Sequence, residues 1–510
     1  MSMVLEGIAA LLGTVGVLIA YFIYLPRIRH WTFPGPKPWL LEGSLSGRKI
    51  KPGTAHQALY DLRNKYGNVF QVWLGIRRLV VLSDEEDIKY ITLTNPMPKC
   101  KSFNESLAPM TGEGLISVRE ELHKSHRRFL SAGFNDEFVR GIGQYISLEL
   151  TTLFDKLDQA CPGAYSVDMD KEITKFAMDI VFRAAFSETI GVQTQVDLPL
   201  LKAFNDALKE IFRCTAQNAR KSQPFWENTD SVHSSRYHRN TGTYPFWKYM
   251  PAKKRFTKAK AVLDIFLSEL VDRRRNESSA EKANRQVDIL DLILQMNLSE
   301  EDIRGEALTF LVAGHDTTSH SLAFCLYNLA CNPNVEAIMA EEVESVLGDR
   351  TVPSYEDCQN LPYTTAVWKE TLRLNPVAAT GTMRDAVEDL TLPSGHFIAR
   401  GAELLVPLYV MHRNPDYWED PLVFKPERFL TKKRPSPFIY MPFSVGPRNC
   451  IGQGFAGFEG VATLAALVKR YKTKLAVEPN EVREFHAMVM RPRCVYNGKS
   501  AGLPMYLARR

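Results

Sequence analysis

The chain has 510 residues, 45% apolar and 24% charged, which places it with ordinary globular proteins and not with disordered, collagenous or fully membrane-embedded ones. Lys plus Arg number 63 against 58 Asp plus Glu, and a net charge of +5 over this length gives no electrostatic footprint for nucleic acid. Eight scattered cysteines, with no Cys-x-x-Cys pair, argue against a disulfide framework or structural zinc and fit a reducing compartment.

Gly7 to Leu25 carries no charge over 19 residues. At roughly 1.5 Å per residue this is a helix of about 30 Å, the hydrocarbon thickness of a bilayer. Residues 1–25 therefore read as one membrane anchor. Arg27, Arg29, Lys37, Arg48, Lys49 and Lys51 follow it, while the first six residues hold no cation, so the positive-inside bias puts the rest of the chain in the cytosol. Pro26, Pro34, Pro36 and Pro38 fix backbone angles and make residues 26–52 a stiff hinge and linker.

The pattern then predicts a helix over 55–66 and a strand pair from Val69 to Ser83 turning at Gly75. Residues 136–300 are mostly of helical period, interrupted by a polar, aromatic-bearing stretch over 221–249 that suits a membrane-dipping lid or a solvated loop equally. A long helix opens at the capping Ser299, with Glu300, Glu301 and Asp302 at the positive end of its dipole, and runs to Pro333. Further helices follow over 335–347 and 364–374. Strand-like and irregular sequence fills 376–443, and a last helix runs from Cys450 to about Tyr471.

Chemistry concentrates in Phe443-Ser444-Val445-Gly446-Pro447-Arg448-Asn449-Cys450-Ile451-Gly452. Glycines at 446 and 452 allow a tight turn and close approach to a flat cofactor, and the amides that open the next helix can donate to a thiolate ligand of iron. Arg448 offers a cation for a carboxylate. A lone buried cysteine before a helix is the usual reading of one cysteine; coincidence of five specified positions has odds of roughly one in ten thousand.

With these five positions the sequence resembles the cytochrome P450 family, whose haem-binding signature F-x-x-G-x-R-x-C-x-G is spelled by Phe443, Gly446, Arg448, Cys450 and Gly452. The resemblance implies a mainly α fold with smaller β-sheets (α+β), haem b as cofactor with Cys450 as axial iron ligand, and one large haem domain over 53–510. It further implies that Gly314, Asp316 and Thr317, in Ala313-Gly314-His315-Asp316-Thr317-Thr318, form the oxygen-activating stretch. Gly314 and Thr317 lie three apart on a shared helical side, so the glycine is expected to make room for a flat ligand or O2 beside the hydroxyl. Glu370 and Arg373 with Arg428 of Pro426-Glu427-Arg428-Phe429 match the family's structural triad. Arg127 and Arg384 match its haem-propionate arginines, while His123 stands where the family has tryptophan.

No G-x-G-x-x-G dinucleotide fingerprint and no flavin domain are evident, so electrons must come from a separate protein. By resemblance this is NADPH cytochrome P450 reductase, with cytochrome b5 as an auxiliary donor, docking near Lys124, Arg128, Lys432, Lys433 and Arg434. The expected activity is O2-dependent oxidation of a lipophilic small molecule such as a fatty acid, sterol or terpenoid, on a single-pass protein of the endoplasmic reticulum membrane. Its pocket is expected from the stretches near 107–115, 203–212, 310–313, 377–382 and 488–490. The competing readings are a haem-thiolate isomerase or dehydratase and a membrane-tethered haem or lipid carrier without turnover.

Overall fold

The computed structural model describes residues 13–14, 33–37, 53–74, 77–160, 165–195, 199–218 and 251–510, with backbone alone over 211–218 and 251–252. The expected anchor lies outside these residues except for helical Gly13 and Thr14, as do Pro26 and the 221–249 stretch. Among the described residues no helix is long and apolar enough to cross a membrane.

The long helices are α1 (Ala55–Tyr66), α2 (Lys101–Thr111), α3 (Glu120–Ser131), α4 (Gly143–Ala160), α5 (Met169–Phe186), α6 (Pro199–Asn218) and α7 (Pro251–Arg275). They continue with α8 (Ile289–Gln295), α9 (Glu300–Cys331), α10 (Pro333–Leu347), α11 (Pro362–Leu374) and α12 (Gln453–Arg470). Their ends follow local chemistry. Ser299 accepts a hydrogen bond from Asp302 N and caps α9 as expected, and Pro333 and Pro362 start α10 and α11, where a missing N–H costs nothing.

Four short strands form one sheet: β1 (Val69–Leu74), β2 (Arg77–Leu82), β3 (Thr382–Asp385) and β4 (Glu403–Val406), in spatial order β1-β2-β4-β3. β1 and β2 are antiparallel, β2 runs parallel to β4, and β3 is antiparallel to β4. Thus the 69–83 strand pair is present, with 75–76 outside the described residues. The C-terminal strands β5 (Tyr471–Leu475), β6 (Arg483–His486), β7 (Met490–Tyr496), β8 (Lys499–Ala501) and β9 (Pro504–Arg509) make two small sheets, one completed by Val167–Asp168. This is the expected mainly α architecture with minor β.

One departure concerns the linker. Phe33 is buried and stacks on His396, and the Pro34 carbonyl accepts from Gln71 N at 2.8 Å. A side chain at Gly35 would strike the Gln71 carbonyl. Residues 33–37 are therefore docked on β1 and belong to the globular body, where the proline pattern alone suggested only a spacer.

α9 is buried nearly all round. Leu322, Leu326 and Leu329 on α9 pack with Ile173, Phe176 and Ile180 of α5 and Leu464 and Leu467 of α12 in the largest core cluster. Each such side chain stabilises the fold by about 1.5–3 kcal/mol on burial. α12 approaches α11 closely because Gly460 has no side chain; a Cβ there would lie 2.6 Å from the Trp368 ring. These contacts fix α12 against α9 and α11, and with it the end of the cysteine loop that leads into α12.

Candidate functional site

The loop before α12 is held by its own backbone. Cys450 N donates to the Phe443 carbonyl at 2.8 Å and Asn449 N to the Gly446 carbonyl at 3.1 Å. Gly446 has φ +75°, and a Cβ on it would lie 2.4 Å from the Thr92 carbonyl oxygen, so both conformation and space demand glycine. Thr92 arrives on a π-helical turn, Tyr90–Thr94, that the sequence pattern did not announce. Cys450 is accessible to solvent by area although protein surrounds it on most sides, so its thiol faces space inside the fold. Burial pushes this thiol up, while the Gly452 N–H and the Arg127 guanidinium pull it toward thiolate.

A buried cluster of cations flanks the loop. Arg448 donates to both oxygens of Glu120, at 2.7 and 3.2 Å, and to the Val118 carbonyl, but its Nη1 is buried with no partner among the described residues. Arg384 donates to Thr382 Oγ1 and pairs across an isolated bridge with Lys99. Burial, then Arg448 after the opposing Glu120, holds Arg384 down to about 10. Lys99, whose Nζ donates to the Ile116 carbonyl, is pushed down to about 7 by burial and by Arg384 and Arg448. His123 is pushed to about 3 by burial and by Arg448, so it is neutral at physiological pH. Arg127 donates to the Asn449 carbonyl at 2.5 Å and to Asn449 Oδ1 at 2.8 Å, tying α3 to the residue before Cys450. Three cations, Lys99, Arg384 and Arg448, thus share a single carboxylate, Glu120, and Arg127 stands on the other side beside Cys450. A surplus of this kind needs anions, and the two propionates of a haem would meet the need in sign. The residues fit the group.

α9 passes the site with Ala313 exposed in mid-helix, an opening in an otherwise buried helix. Thr317 Oγ1 donates to the Ala313 carbonyl at 2.8 Å. Gly314 departs from expectation: a Cβ there would lie 2.8 Å from Val181 Cγ2, so its missing side chain lets α5 approach and is not what opens room for a ligand. Helical spacing told which residues share a side; it could not tell which neighbour that side meets. Asp316 lies 3.2 Å from His320 Nε2 and 3.8 Å from His315 Nε2, and these groups with Arg491 hold its carboxyl well below the usual range against burial.

Beneath the loop, Arg373 grips Glu370 in a bidentate pair at 2.7 and 2.8 Å and donates to the carbonyls of His412, Pro421 and Val423. Arg428 Nε adds a third bond to Glu370 at 3.1 Å. The three residues come together as the sequence order implied. His412 Nε2 accepts from Met441 N, which carries this order to the start of the cysteine loop.

The candidate docking residues Lys124, Arg128, Lys432, Lys433 and Arg434 are all exposed, with Lys124 paired to Glu121. Leu107, Leu115, Ala203, Phe204 and Phe310 from the expected pocket stretches meet in one apolar cluster, with Met488 against it. Sequence reading missed Lys99, Glu120, Asn449 and the pair His126–Glu306, whose 2.6 Å contact joins α3 to α9. Of these only Glu120 left a signal, an acid opening the helix that carries His123 and Arg127. The one group of three potential metal-ligating side chains among the described residues is Cys100, Asp385 and Glu403, and the Arg77 guanidinium already pairs with Glu403 there.

The sequence model of the family described as Cytochrome P450 matches residues 33–496. Among relatives, the human protein named Cytochrome P450 4X1 is 28% identical over 479 residues, covering 90% of this chain and 89% of that one. The Drosophila melanogaster Probable cytochrome P450 4s3 is 31% identical over 481 residues, covering 89% and 90%. The human Ultra-long-chain fatty acid omega-hydroxylase is 29% identical over 495 residues, covering 92% and 88%. A family match over nearly the whole described chain thus meets a cysteine loop and a cation cluster that independently ask for the same cofactor, and the chain belongs to the cytochrome P450 family of eukaryotic type, monooxygenases that bind haem b through a cysteine thiolate.

Proposed function

We propose that this chain is a haem-thiolate monooxygenase for a lipophilic, acyl-chain-like small molecule, with Cys450 as the iron ligand. The observation that carries the reading is the set Lys99, Arg384 and Arg448 around one carboxylate, with Arg127 beside a cysteine whose thiol faces interior space. When bound, haem supplies dioxygen activation, the thiolate donating electron density that favours O–O cleavage.

The chain's residues divide the remaining work. Arg448, Arg384 and Arg127 hold propionates by charge, and neutral His123 by a hydrogen bond in place of aromatic packing. Phe443, Gly446 and Gly452 shape the loop, and Gly452 N–H moderates the thiolate. Thr317, its proton committed to the Ala313 carbonyl, presents oxygen lone pairs beside the mid-helix opening, and Asp316 next to it is the acid of the proton relay. Glu370, Arg373 and Arg428 keep the loop in place and touch no reactant. Met488, Phe310 and Leu115 border the apolar region that favours a hydrocarbon substrate, and the fatty-acid hydroxylase among the relatives supports an acyl chain.

Electrons come from a separate NADPH-dependent reductase at the exposed cations around Lys124 and Lys433. The segment 1–25 anchors the haem domain to the endoplasmic reticulum membrane facing the cytosol; the apolar Gly7–Leu25 run supports this. The test is the reduced carbon monoxide difference spectrum of detergent-solubilised full-length chain. A red-shifted thiolate band that Cys450→Ser abolishes is expected; its absence from folded, haem-loaded wild type would overturn the reading.

A further inference from the structure

α5 and α9 run antiparallel, with Val181 against Gly314 and, further along, Thr174 against Ser319 and Asp170 against His320. At that last contact the His320 imidazole lies between two carboxylates. Nδ1 is 2.7 Å from Asp170 Oδ1, and Nε2 is 3.2 Å from Asp316 Oδ1. The two contacts are not equivalent. The Asp170 contact is a formed hydrogen bond, whereas buried Nε2 has no hydrogen bond of good geometry, so its approach to Asp316 is an ion pair that can be made and broken. The ring is sealed, with 3% side-chain exposure, while Asp170 and Asp316 are 12% and 15% exposed. The bend between β8 and β9 packs against Asp170: a Cβ on Gly502 would lie 2.6 Å from its carboxylate.

We propose that His320, oriented by Asp170, is the positioning residue that stores and supplies the proton of Asp316 in the acid–alcohol pair with Thr317. The Asp170 bond keeps one proton on Nδ1 permanently and fixes the ring. The exchange occurs at the other nitrogen: the Nε2–H bond breaks, an O–H bond forms on Asp316 Oδ1, and a neutral Nδ1–H imidazole and a carboxylic acid replace the ion pair. No electron moves. Water at the partly exposed Asp316 returns the proton. The charged or titratable groups acting on this exchange are Asp170 from α5, His315 on α9 itself and Arg491 from β7. His315 gives its Nδ1–H to the Leu311 carbonyl at 2.7 Å, and its Nε2 lies 3.8 Å from Asp316, beyond hydrogen-bond reach, so it does not hand Asp316 a proton. The supply falls to His320. Burial opposes its charge, but Asp170 and then Asp316 outweigh burial and hold it up to about 10.

The inference rests on the monooxygenase reading, and the carbon monoxide band keeps the two apart: the band tests the thiolate, the following measurements test His320. In full-length His320→Gln with reductase, the band and the KM for a fatty-acid probe should persist, while product formed per NADPH falls by at least about tenfold in favour of peroxide. Its pH profile should lose the alkaline limb that wild type shows. Asp170→Asn should shift that limb to lower pH and keep the band, and it provides the reading if His320→Gln fails to fold. A second readout needs no turnover. The protonated His320 stabilises the fold fully below pH 6.5, and this contribution is lost as pH rises through about 10, so wild-type melting should fall across that window more steeply than in the variant. Unchanged coupling in His320→Gln, or reduced coupling with an unaltered pH profile and melting slope, would overturn the proposal; the second result would leave only a packing role.

Discussion

Two ionic assemblies flank the cysteine loop, and they are built on opposite principles. In the first, Glu370, Arg373 and Arg428 satisfy one another and borrow the carbonyls of His412, Pro421 and Val423, so no nitrogen or oxygen of the three is left without a partner. In the second, Lys99, Arg384 and Arg448 share a single Glu120, Arg448 Nη1 has no partner among the described residues, and burial pushes Lys99 down to about 7. A closed network needs nothing more and acts as scaffold. An open one is finished only by an added anion, which is the physical mark of a ligand site. Composition cannot separate the two, since both are arginine–glutamate clusters; only the count of unmet partners does.

The largest effect should come from opening the closed network. Glu370→Ala leaves Arg373 buried at 0% exposure with no counter-charge, a loss of about 3–5 kcal/mol. No haem-loaded protein should accumulate, read as a missing Soret band in the soluble or detergent-extracted fraction. Glu370→Asp, which keeps the charge, should recover part of it. Stable holoprotein from Glu370→Ala would show that Arg428 and the carbonyls suffice without the acid.

Next in size is removal of a member of the open network. Arg448→Leu takes out the guanidinium whose Nη1 lacks a partner among the described residues and leaves Glu120 with the Lys99 N–H alone as a hydrogen-bond donor there. Haem affinity should fall by about 10–100-fold, while the haem-free chain melts within a few degrees of wild type. An equal loss of stability with and without haem would place Arg448 with the scaffold. Thr317→Ala touches neither network and should be milder still in its effect on the fold: haem stays bound, and NADPH electrons are diverted to peroxide as the pair with Asp316 is broken. Tightly coupled turnover in Thr317→Ala would remove the hydroxyl from the relay.

The same contrast explains what the sequence made legible. Cys450, Gly446 and Arg448 stand within seven residues, and Glu370 and Arg373 one helical turn apart, so their geometry is written in local spacing. The α9 cap at Ser299 and the helix starts at Pro333 and Pro362 are local for the same reason. Gly314 lies on the expected helix, but the neighbour it meets, Val181, comes from α5 by tertiary packing that helical spacing does not announce. Lys99 meets Arg384 and Arg448 across hundreds of residues, and Asp170 meets His320 across 150. No periodicity carries such contacts. Residues 33–37 looked like a spacer because prolines suit one; that they dock on β1 is decided by Phe33 finding a pocket beside His396.

Lys99 provides the smallest and sharpest test, through the sign of a pH effect. Its ordinary value is 10.5 and the fold holds it at about 7, so between these values the unfolded chain binds a proton that the folded chain does not. Stability of the haem-free protein should therefore rise with pH across 7 to 10.5. Haem binding brings propionates to the cluster, restores the cost-free charged form of Lys99, and should flatten that rise. Lys99→Met, which keeps the length of the stem, should flatten it in the haem-free protein and leave that protein equally or more stable near pH 7, while weakening haem retention modestly. The measurement is melting temperature against pH for haem-free and haem-loaded protein in wild type and variant. A rise of equal slope in all four would mean that Lys99 is already balanced by Glu120, and that the open network is closed by groups of the chain itself.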